Sequence, residues 1–178
     1  MSRKTINNFG YPYKFLSNYY ETRVKYDGIV YQSSEAAFHA QKTLSLDEKL
    51  IFAKLSPPES KFKAKNLNVR EDWRSIQDSI MYSVVYNKFQ QRKDIKEKLI
   101  ETGDAILIGG NPYNDKYWGV SNQDGDGLNK LGLILEKVRE DLGGWKRDYD
   151  EPNWLKRVTN ESEEANPINL QNFKRNIR

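Results

Sequence analysis

Hydrophobic residues in this chain recur mostly at helical spacing. The longest such stretch covers residues 72–92, and its apolar face consists of positions three and four apart: Trp73, Ile76, Ile80, Met81, Val84, Val85 and Phe89. Shorter helices are predicted over residues 34–44, 45–56, 58–66, 94–102 and 129–142. Ser45 and Asp94, each with a glutamate three residues later, and Asn129 are predicted to cap three of these helices.

Strand signals are few and short. Residues 23–32 alternate around Asp27-Gly28, a dipeptide that favours positive φ, and they predict a β-hairpin. Residues 105–108 form one apolar run, which predicts a single buried strand. We therefore expect an α+β, mainly α-helical single domain over residues 1–144. Residues 145–178 are polar with little periodicity, and they predict a C-terminal extension with at most a short helix near residues 154–158.

Composition limits the class of protein. Charged residues make up 30% of the chain, but an aromatic content of 12% argues against wholesale disorder. The net charge of +4 gives weak support for an anionic partner such as a nucleotide or nucleic acid. The absence of cysteine excludes disulfides, thiolate catalysis and cysteine zinc sites. Because the sequence shows neither an apolar signal region nor a long apolar run, we expect a soluble cytoplasmic protein with no membrane partner.

The first candidate for chemistry lies in the predicted helix over residues 34–44. Glu35 and Lys42 are seven positions apart, which brings them to nearly the same side of an α-helix. A charged stripe facing solvent would explain the pair, since paired exposed charges are common on helices. On the wall of a cleft, burial would instead shift both pKa values and make the lysine a nucleophile.

The second candidate is the polar, glycine-rich loop over residues 109–128. A loop of this length inside a compact domain is uncommon unless it binds something. Gly119 and Gly127 permit close backbone approach, and the helix that starts at Asn129 offers free N–H groups to a phosphate. Trp118 suits stacking on a base or a sugar, and Asp115 suits work as an acid, a base or a stabiliser of positive charge. The alternative is an ordinary surface loop in which Trp118 fills the core.

Metal chemistry has little support in the sequence. Residues 122–127 match the first half of an EF-hand calcium loop, but Leu133 stands where the bidentate glutamate is needed. His39 is the only histidine, which excludes a histidine-rich metal site and favours a packing or hydrogen-bonding role for this residue. We expect no metal.

Four blocks of residues, in order over roughly residues 9–142, together resemble the NADAR/YbiA-like family. They are Phe15-Leu16-Ser17-Asn18-Tyr19; Asp27-Gly28 to Ser34-Glu35-x-x-Phe38-x-Ala40-Gln41-Lys42; Trp73 to Met81 with Lys88-Phe89; and Thr102-Gly103-Asp104-Ala105 to Asp115-x-x-Trp118-Gly119, Gly127-x-Asn129-x-Leu131-Gly132 and Val138-Arg139. The chain departs from the family at Ala36 and His39, where the family often has histidine and glutamine. This departure bears on the shape of the pocket and on substrate choice.

The resemblance implies a YbiA-like domain that cleaves N-glycosidic bonds, with its site between the first matched helix and the glycine-rich loop. Family substrates are ribosylamino-pyrimidine intermediates of riboflavin synthesis, or ADP-ribose attached to guanine in DNA. The resemblance also implies that Lys42 attacks C1 of the opened ribose as a Schiff base. We assign to Glu35 and Asp115 the role of the carboxylates that stabilise positive charge near C1. The predicted substrate-binding residues are Ser17, Asn18, Trp118, Gly119, Gly127 and Asn129. The scheme needs no cofactor.

Two other classes of protein are alternatives to the enzyme. A non-catalytic reader of ADP-ribose or of another nucleotide derived from NAD would occupy the same pocket without cleaving a bond. A nucleic-acid-binding module is disfavoured by the modest charge and by the lack of a basic run. The expected partner is therefore a small nucleotide or ADP-ribose-type substrate, or ADP-ribosylated DNA.

Overall fold

The computed structural model describes residues 3–165, and helices dominate this part of the chain. Its helices are α1 (Ser34–Ala40), α2 (Leu46–Phe52), α3 (Pro57–Ala64), α4 (Trp73–Gln90), α5 (Lys93–Glu101), α6 (Lys130–Asp141) and α7 (Asn153–Ala165), preceded by a 3-10 turn at Lys14–Leu16. The prediction of a mainly α-helical α+β fold is confirmed. None of the helices within residues 3–165 has the length and apolar character needed to cross a membrane.

The β-structure of the described residues consists of three two-stranded pairs. Strands β2 (Val24–Tyr26) and β3 (Ile29–Tyr31) form the predicted antiparallel hairpin, in which Asp27 and Gly28 adopt φ values of 50° and 77°. Strand β1 (Thr5–Ile6) pairs in parallel with β4 (Ile106–Leu107), which is the predicted strand at residues 105–108. A third pair, β5 (Gly110–Asn111) with β6 (Val120–Ser121), lies inside the segment that we predicted to be a loop without strands.

Helix α4 lies between two hydrophobic clusters and explains why its apolar pattern is so wide. Met81, Val85 and Phe89 face a cluster that also includes side chains of α5, α6, α7 and β4. Val84 faces a second cluster, which also includes side chains of the hairpin, α1, α2 and α3. Ile80 packs against both clusters. The helix is therefore buried along two faces rather than along a single stripe.

Two of the three predicted side-chain caps differ in the structure. The Ser45 hydroxyl accepts the Glu48 N–H at 3.3 Å, so Ser45 caps α2 as predicted. Asp94 lies inside α5, which begins at Lys93, and its carboxylate pairs with Arg92 at 3.0 Å. The prediction of Asp94 as a cap is wrong because α5 begins one residue before it, so that Arg92 stands at the cap position.

Asn129 precedes α6 but does not cap it with its side chain. Its backbone is left-handed, with φ 49°. The side chain instead connects two other segments: Nδ2 donates to the Leu107 carbonyl at 2.9 Å, and Oδ1 accepts the Gly109 N–H at 3.0 Å. The prediction of Asn129 as a helix cap is therefore wrong, and the residue joins α6 to the end of β4.

The C-terminal extension contributes to the core of the domain. Helix α7 extends over Asn153–Ala165, so the prediction of at most a short helix near residues 154–158 is wrong. Leu155 and Val158 are buried in the same cluster as the α4 residues Met81, Val85 and Phe89. Two apolar residues three positions apart give too short a periodic signal to reveal a helix in a polar context. The remainder of the predicted extension, residues 166–178, lies outside the described residues.

Candidate active site

The first turn of α1 carries a buried carboxylate. Glu35 is only 8% exposed, and its Oε1 lies 3.0 Å from Nε2 of His39, one helical turn further along. The Glu35 N–H donates to the carbonyl of Asn18, which ties the start of α1 to the preceding segment. A carboxylate at this position also suits the positive end of the helix dipole. The interpretation of Glu35 as part of a charged stripe facing solvent is therefore wrong.

Lys42 lies in the turn that follows α1, two residues beyond its end at Ala40. Its amine lies 5.7 Å from the centroid of the Trp73 ring. Burial lowers the pKa of Lys42, the negative charge of Glu35 opposes that effect, and the positive charge of Lys61 adds to it. The amine therefore gives up its proton more readily than an exposed lysine does, as a nucleophile must.

Aromatic rings connect α1 to the glycine-rich loop. The Phe38 ring lies 5.1 Å from the Trp73 ring and 5.4 Å from the Trp118 ring, edge-on to the latter. The Tyr117 ring meets Trp118 edge-on at 4.9 Å. Trp118 is partly buried and packs against the larger hydrophobic cluster. The loop therefore lies against the helix that carries Glu35, and Trp118 both contributes to the core and faces the α1 side of the molecule.

Asp115 builds the turn that places Trp118. One oxygen of its carboxylate, Oδ1, accepts the backbone N–H groups of Tyr117 at 3.1 Å and of Trp118 at 3.0 Å. The Asp115 N–H in turn donates to Oδ1 of Asn111 at 2.9 Å. A carboxylate that accepts two backbone N–H groups holds the loop in a defined conformation. A catalytic role for Asp115 would have to use its other carboxylate oxygen.

Ser17 and Asn18 support the start of α1. The Asn18 side chain is buried, and its Oδ1 accepts the Ser34 hydroxyl at 3.0 Å. The Ser17 carbonyl accepts a hydrogen bond from the amine of Lys88 at 2.8 Å. Lys88 is fully buried, and burial lowers its pKa to about 7. These contacts give Ser17 and Asn18 a positioning role. They act on the site through the hydrogen bond from the Glu35 N–H to the Asn18 carbonyl.

The glycines of the loop pack against the protein's own backbone. A Cβ atom at Gly119 would lie 2.1 Å from the Gly109 carbonyl oxygen, and one at Gly127 would lie 2.2 Å from the Gly119 oxygen. The first backbone N–H groups of α6 and of the residue before it are also used. Those of Asn129, Lys130 and Leu131 donate to the carbonyls of Gly119, Tyr117 and Trp118. The prediction that these N–H groups are free for a phosphate is therefore wrong.

The structure adds site residues that we did not predict. Partial burial, the charge of Glu35 and that of Tyr113 raise the pKa of Tyr19 to about 12, so these groups share one electrostatic environment. The Lys61 amine lies 5.7 Å from the Tyr19 ring and 5.8 Å from the Tyr113 ring. Tyr19 belongs to the first matched block, but nothing in the local pattern of α3 distinguishes Lys61 from the other exposed lysines. Only the fold brings α3 beside α1.

Two other features lie outside this site. A surface cavity of about 700 Å³ is lined by residues of the N-terminal segment, of β6 and of the turn that follows β6, and none of them is among the predicted catalytic or substrate-binding residues. In residues 122–127, which match the first half of a calcium loop, Asp124 and Asp126 both pair with the amine of Lys116. A lysine therefore occupies the place of a cation there, and the sequence argument against calcium gains a structural reason.

The fold and the site together define the class of protein. It is a mainly helical α+β domain in which a buried glutamate and a partly desolvated lysine lie near the rings of Phe38, Trp73 and Trp118. Its family follows from comparison: the family model of the NADAR domain matches residues 5–143. The chain therefore belongs to the NADAR domain family, as we predicted.

Relatives and a solved structure agree with this assignment. The N-glycosidase YbiA of Shigella flexneri serotype 5b is 33% identical over 135 residues, which cover 73% of this chain and 82% of that protein. A riboflavin biosynthesis protein of Vibrio vulnificus is 34% identical over 131 residues, but the match spans only 35% of its length. The NMR structure of Escherichia coli YbiA superposes with a TM-score of 0.70 at 30% identity, covering 80% of this chain and 87% of that one. The names of the relatives agree with the prediction of an N-glycosidase-type enzyme.

Proposed function

We propose that this protein hydrolyses the bond between C1 of a ribosyl group and a nitrogen atom, with Lys42 as the nucleophile. One observation carries the proposal. The Lys42 amine is half-buried, has a lowered pKa, and shares its environment with the buried carboxylate of Glu35. A desolvated lysine beside a carboxylate and aromatic rings is suited to form a covalent bond with a sugar carbon. The relatives named N-glycosidase support the same bond class.

The reaction balances as a hydrolysis in two stages. Protonation of the ring oxygen opens the ribosylamine to an imine at C1, and the neutral Lys42 amine adds to C1. The C1–N bond to the base then breaks, the departing nitrogen takes a proton, and a protonated Schiff base with Lys42 remains. Water adds to C1, and the amine leaves. The products are the free base, or its amine, and the ribose aldehyde.

The neighbouring side chains have distinct roles in this scheme. Glu35 supplies the carboxylate that stabilises positive charge near C1, and His39 orients that carboxylate through their 3.0 Å contact. Asp115 is the second carboxylate, and it also fixes the turn that carries Trp118. Trp118 stacks on the base or sugar. Asn18 positions α1 through its contacts with Ser34 and Glu35.

The remaining predicted substrate-binding residues act mainly through the backbone. The Ser17 carbonyl accepts a hydrogen bond from the Lys88 amine. Gly119, Gly127 and Asn129 hold the loop against β4 and α6. We propose that they preserve the shape of the site rather than contact a phosphate. Lys61 is better placed for that purpose, because its amine lies beside two exposed tyrosines, Tyr19 and Tyr113.

The substrate is a phosphorylated ribosyl compound whose C1 carries an amine or a base nitrogen. The riboflavin-related name of the Vibrio vulnificus relative favours a phosphoribosylamino-pyrimidine. ADP-ribose on guanine in DNA contains the same type of bond and is the second substrate to test. The positive charge of Lys61, beside Tyr19 and Tyr113, suits the phosphates of both substrates.

A side-by-side assay tests the proposal. Base release from each substrate is measured by mass spectrometry with the wild type, Lys42→Ala, Lys42→Arg and the exposed control Lys65→Ala. We expect the two Lys42 variants to lose turnover while keeping their circular dichroism spectra, because arginine keeps the charge but is not a nucleophile at neutral pH. Lys65→Ala should retain wild-type activity. Tight binding of ADP-ribose without release of any base by the wild type would favour a non-catalytic reader instead.

A further inference from the structure

Helix α7 contains a side chain that reaches toward the loop of the site. The helix lies beyond residue 143, where the family match ends, so its contacts are a property of this chain rather than of the matched region. Leu155 and Val158 anchor the helix in the core next to α4. Trp154, beside them, is only partly buried, and its ring centroid lies 4.5 Å from the amine of Lys130.

Lys130 is in turn in contact with Tyr117. Its amine lies 4.4 Å from the centroid of the Tyr117 ring and donates to the Tyr117 hydroxyl at 3.0 Å. The same amine forms an ion pair with Asp78 of α4. The Tyr117 hydroxyl donates to Oδ1 of Asp78 at 2.7 Å and also accepts the side-chain N–H of Gln77 at 3.2 Å. Lys130 is 9% exposed, so this network is shielded from water.

Tyr117 is in direct contact with the tryptophan of the site. The rings of Tyr117 and Trp118 meet edge-on at 4.9 Å, and Trp118 rests against Phe38 of α1. A shift of the Tyr117 ring would therefore shift Trp118 relative to the helix that carries Glu35. The contacts run without a gap from Trp154 through Lys130 and Tyr117 to Trp118.

We infer that Trp154 is a positioning residue that fixes the orientation of Trp118 through Lys130 and Tyr117. The indole face shields the Lys130 amine from water and attracts its charge, which keeps the amine on the Tyr117 hydroxyl. Without the indole, water reaches the amine and competes for it, and Tyr117 loses one of its hydrogen-bond partners. The kinetic consequence of this inference rests on the proposed function, but the orientation of Trp118 does not.

The test compares four variants of the full chain at two readouts. Trp154→Ala removes the ring, and Trp154→Phe keeps an aromatic face over Lys130. Leu155→Ala weakens the packing of the same helix without touching Lys130, and Lys156→Ala changes an exposed neighbour. The first readout is the fluorine NMR signal of Trp118 in protein labelled with 5-fluorotryptophan, assigned with Trp118→Phe. The second is kcat and KM for base release.

We expect Trp154→Ala to shift or broaden the Trp118 signal and to raise KM roughly twofold to thirtyfold, the fold-change that corresponds to the energies of cation–aromatic contacts from exposed to desolvated sites. Trp154→Phe should restore most of both readouts. Leu155→Ala should lower the melting temperature but leave the Trp118 signal in place well below the transition. Lys156→Ala should behave like the wild type.

Three results would overturn the inference: an unmoved Trp118 signal in Trp154→Ala, a phenylalanine variant no better than alanine, or an equal shift in Leu155→Ala. A shifted signal in a protein that releases no base from any substrate would instead refute the proposed function and leave the positioning role intact. The two failures are therefore distinguishable.

Discussion

Replacement of Gly119 by alanine should destabilise the fold through crowding rather than through backbone strain. The added Cβ would lie 2.1 Å from the carbonyl oxygen of Gly109, which is far inside van der Waals contact. That oxygen accepts the Val120 N–H at 3.0 Å, so the strands β5 and β6 cannot separate without weakening their pairing. Overpacking costs about 1–3 kcal/mol and a lost hydrogen bond about 1 kcal/mol, so we expect a loss of roughly 3 kcal/mol.

Gly125→Ala is the matched control, because Gly125 has a φ of 72° but nothing within 4 Å of its added Cβ. Left-handed strain costs about 1–2 kcal/mol, and lower chain entropy in the unfolded state offsets roughly half of it. In a domain of this size 1 kcal/mol corresponds to about 2–4 °C. The melting temperature should therefore fall by roughly 6–12 °C in Gly119→Ala and by about 2–4 °C in Gly125→Ala. Equal shifts, or an unchanged Gly119→Ala, would refute the packing role and restore the idea that Gly119 is kept open for a ligand.

Three further predictions follow from the charges of the site and its support. Lys61→Ala should move the acidic limb of the kcat/KM profile to higher pH, because the charge of Lys61, after burial, helps to lower the pKa of Lys42; a limb at unchanged pH would exclude this coupling. His39→Gln should keep most of the turnover and His39→Ala should lose more, since only glutamine retains an N–H donor for Glu35; equal losses in kcat would assign proton transfer to His39. Burial lowers the pKa of Lys88 to about 7 in the fold, so the unfolded chain holds the extra proton between that pH and about 10.4. The stability of the wild type relative to Lys88→Met should therefore rise with pH across this window, by up to about 5 kcal/mol in urea unfolding; a difference independent of pH would show that Lys88 is charged in the fold.

The parts of the fold that could be predicted are those with a long or chemically distinct signal. The apolar pattern of residues 72–92 identifies α4, and Asp27-Gly28 identifies the hairpin because its backbone requires positive φ. The two-residue strands β1, β5 and β6 leave no periodic trace, since a period of two needs several repeats to be seen. Helix α7 escapes for a related reason: its polar residues outnumber the two that anchor it.

The site shows the same division. The spacing of Glu35 and Lys42 predicts that the two side chains lie on one side of α1, and the charge of Glu35 does act on Lys42 although α1 ends before that residue. The sequence could not show that Gly119 and Asn129 are used by the protein's own backbone. The Gly109 carbonyl, just before β5, fills the space beside Gly119, and the Leu107 carbonyl of β4 accepts the Asn129 side chain. Lys61 and Tyr113 come from separate segments, and only tertiary packing places them beside Tyr19.

The most direct test of the account is the identification of a covalent adduct on Lys42. Borohydride is added during turnover of a phosphoribosylamino-pyrimidine, and the protein is then digested and analysed by mass spectrometry. The account predicts a reduced ribose phosphate adduct on the peptide that contains Lys42, and none in Lys42→Arg. Full base release by the wild type without any trapped adduct, or with the adduct on another lysine such as Lys61, would contradict it.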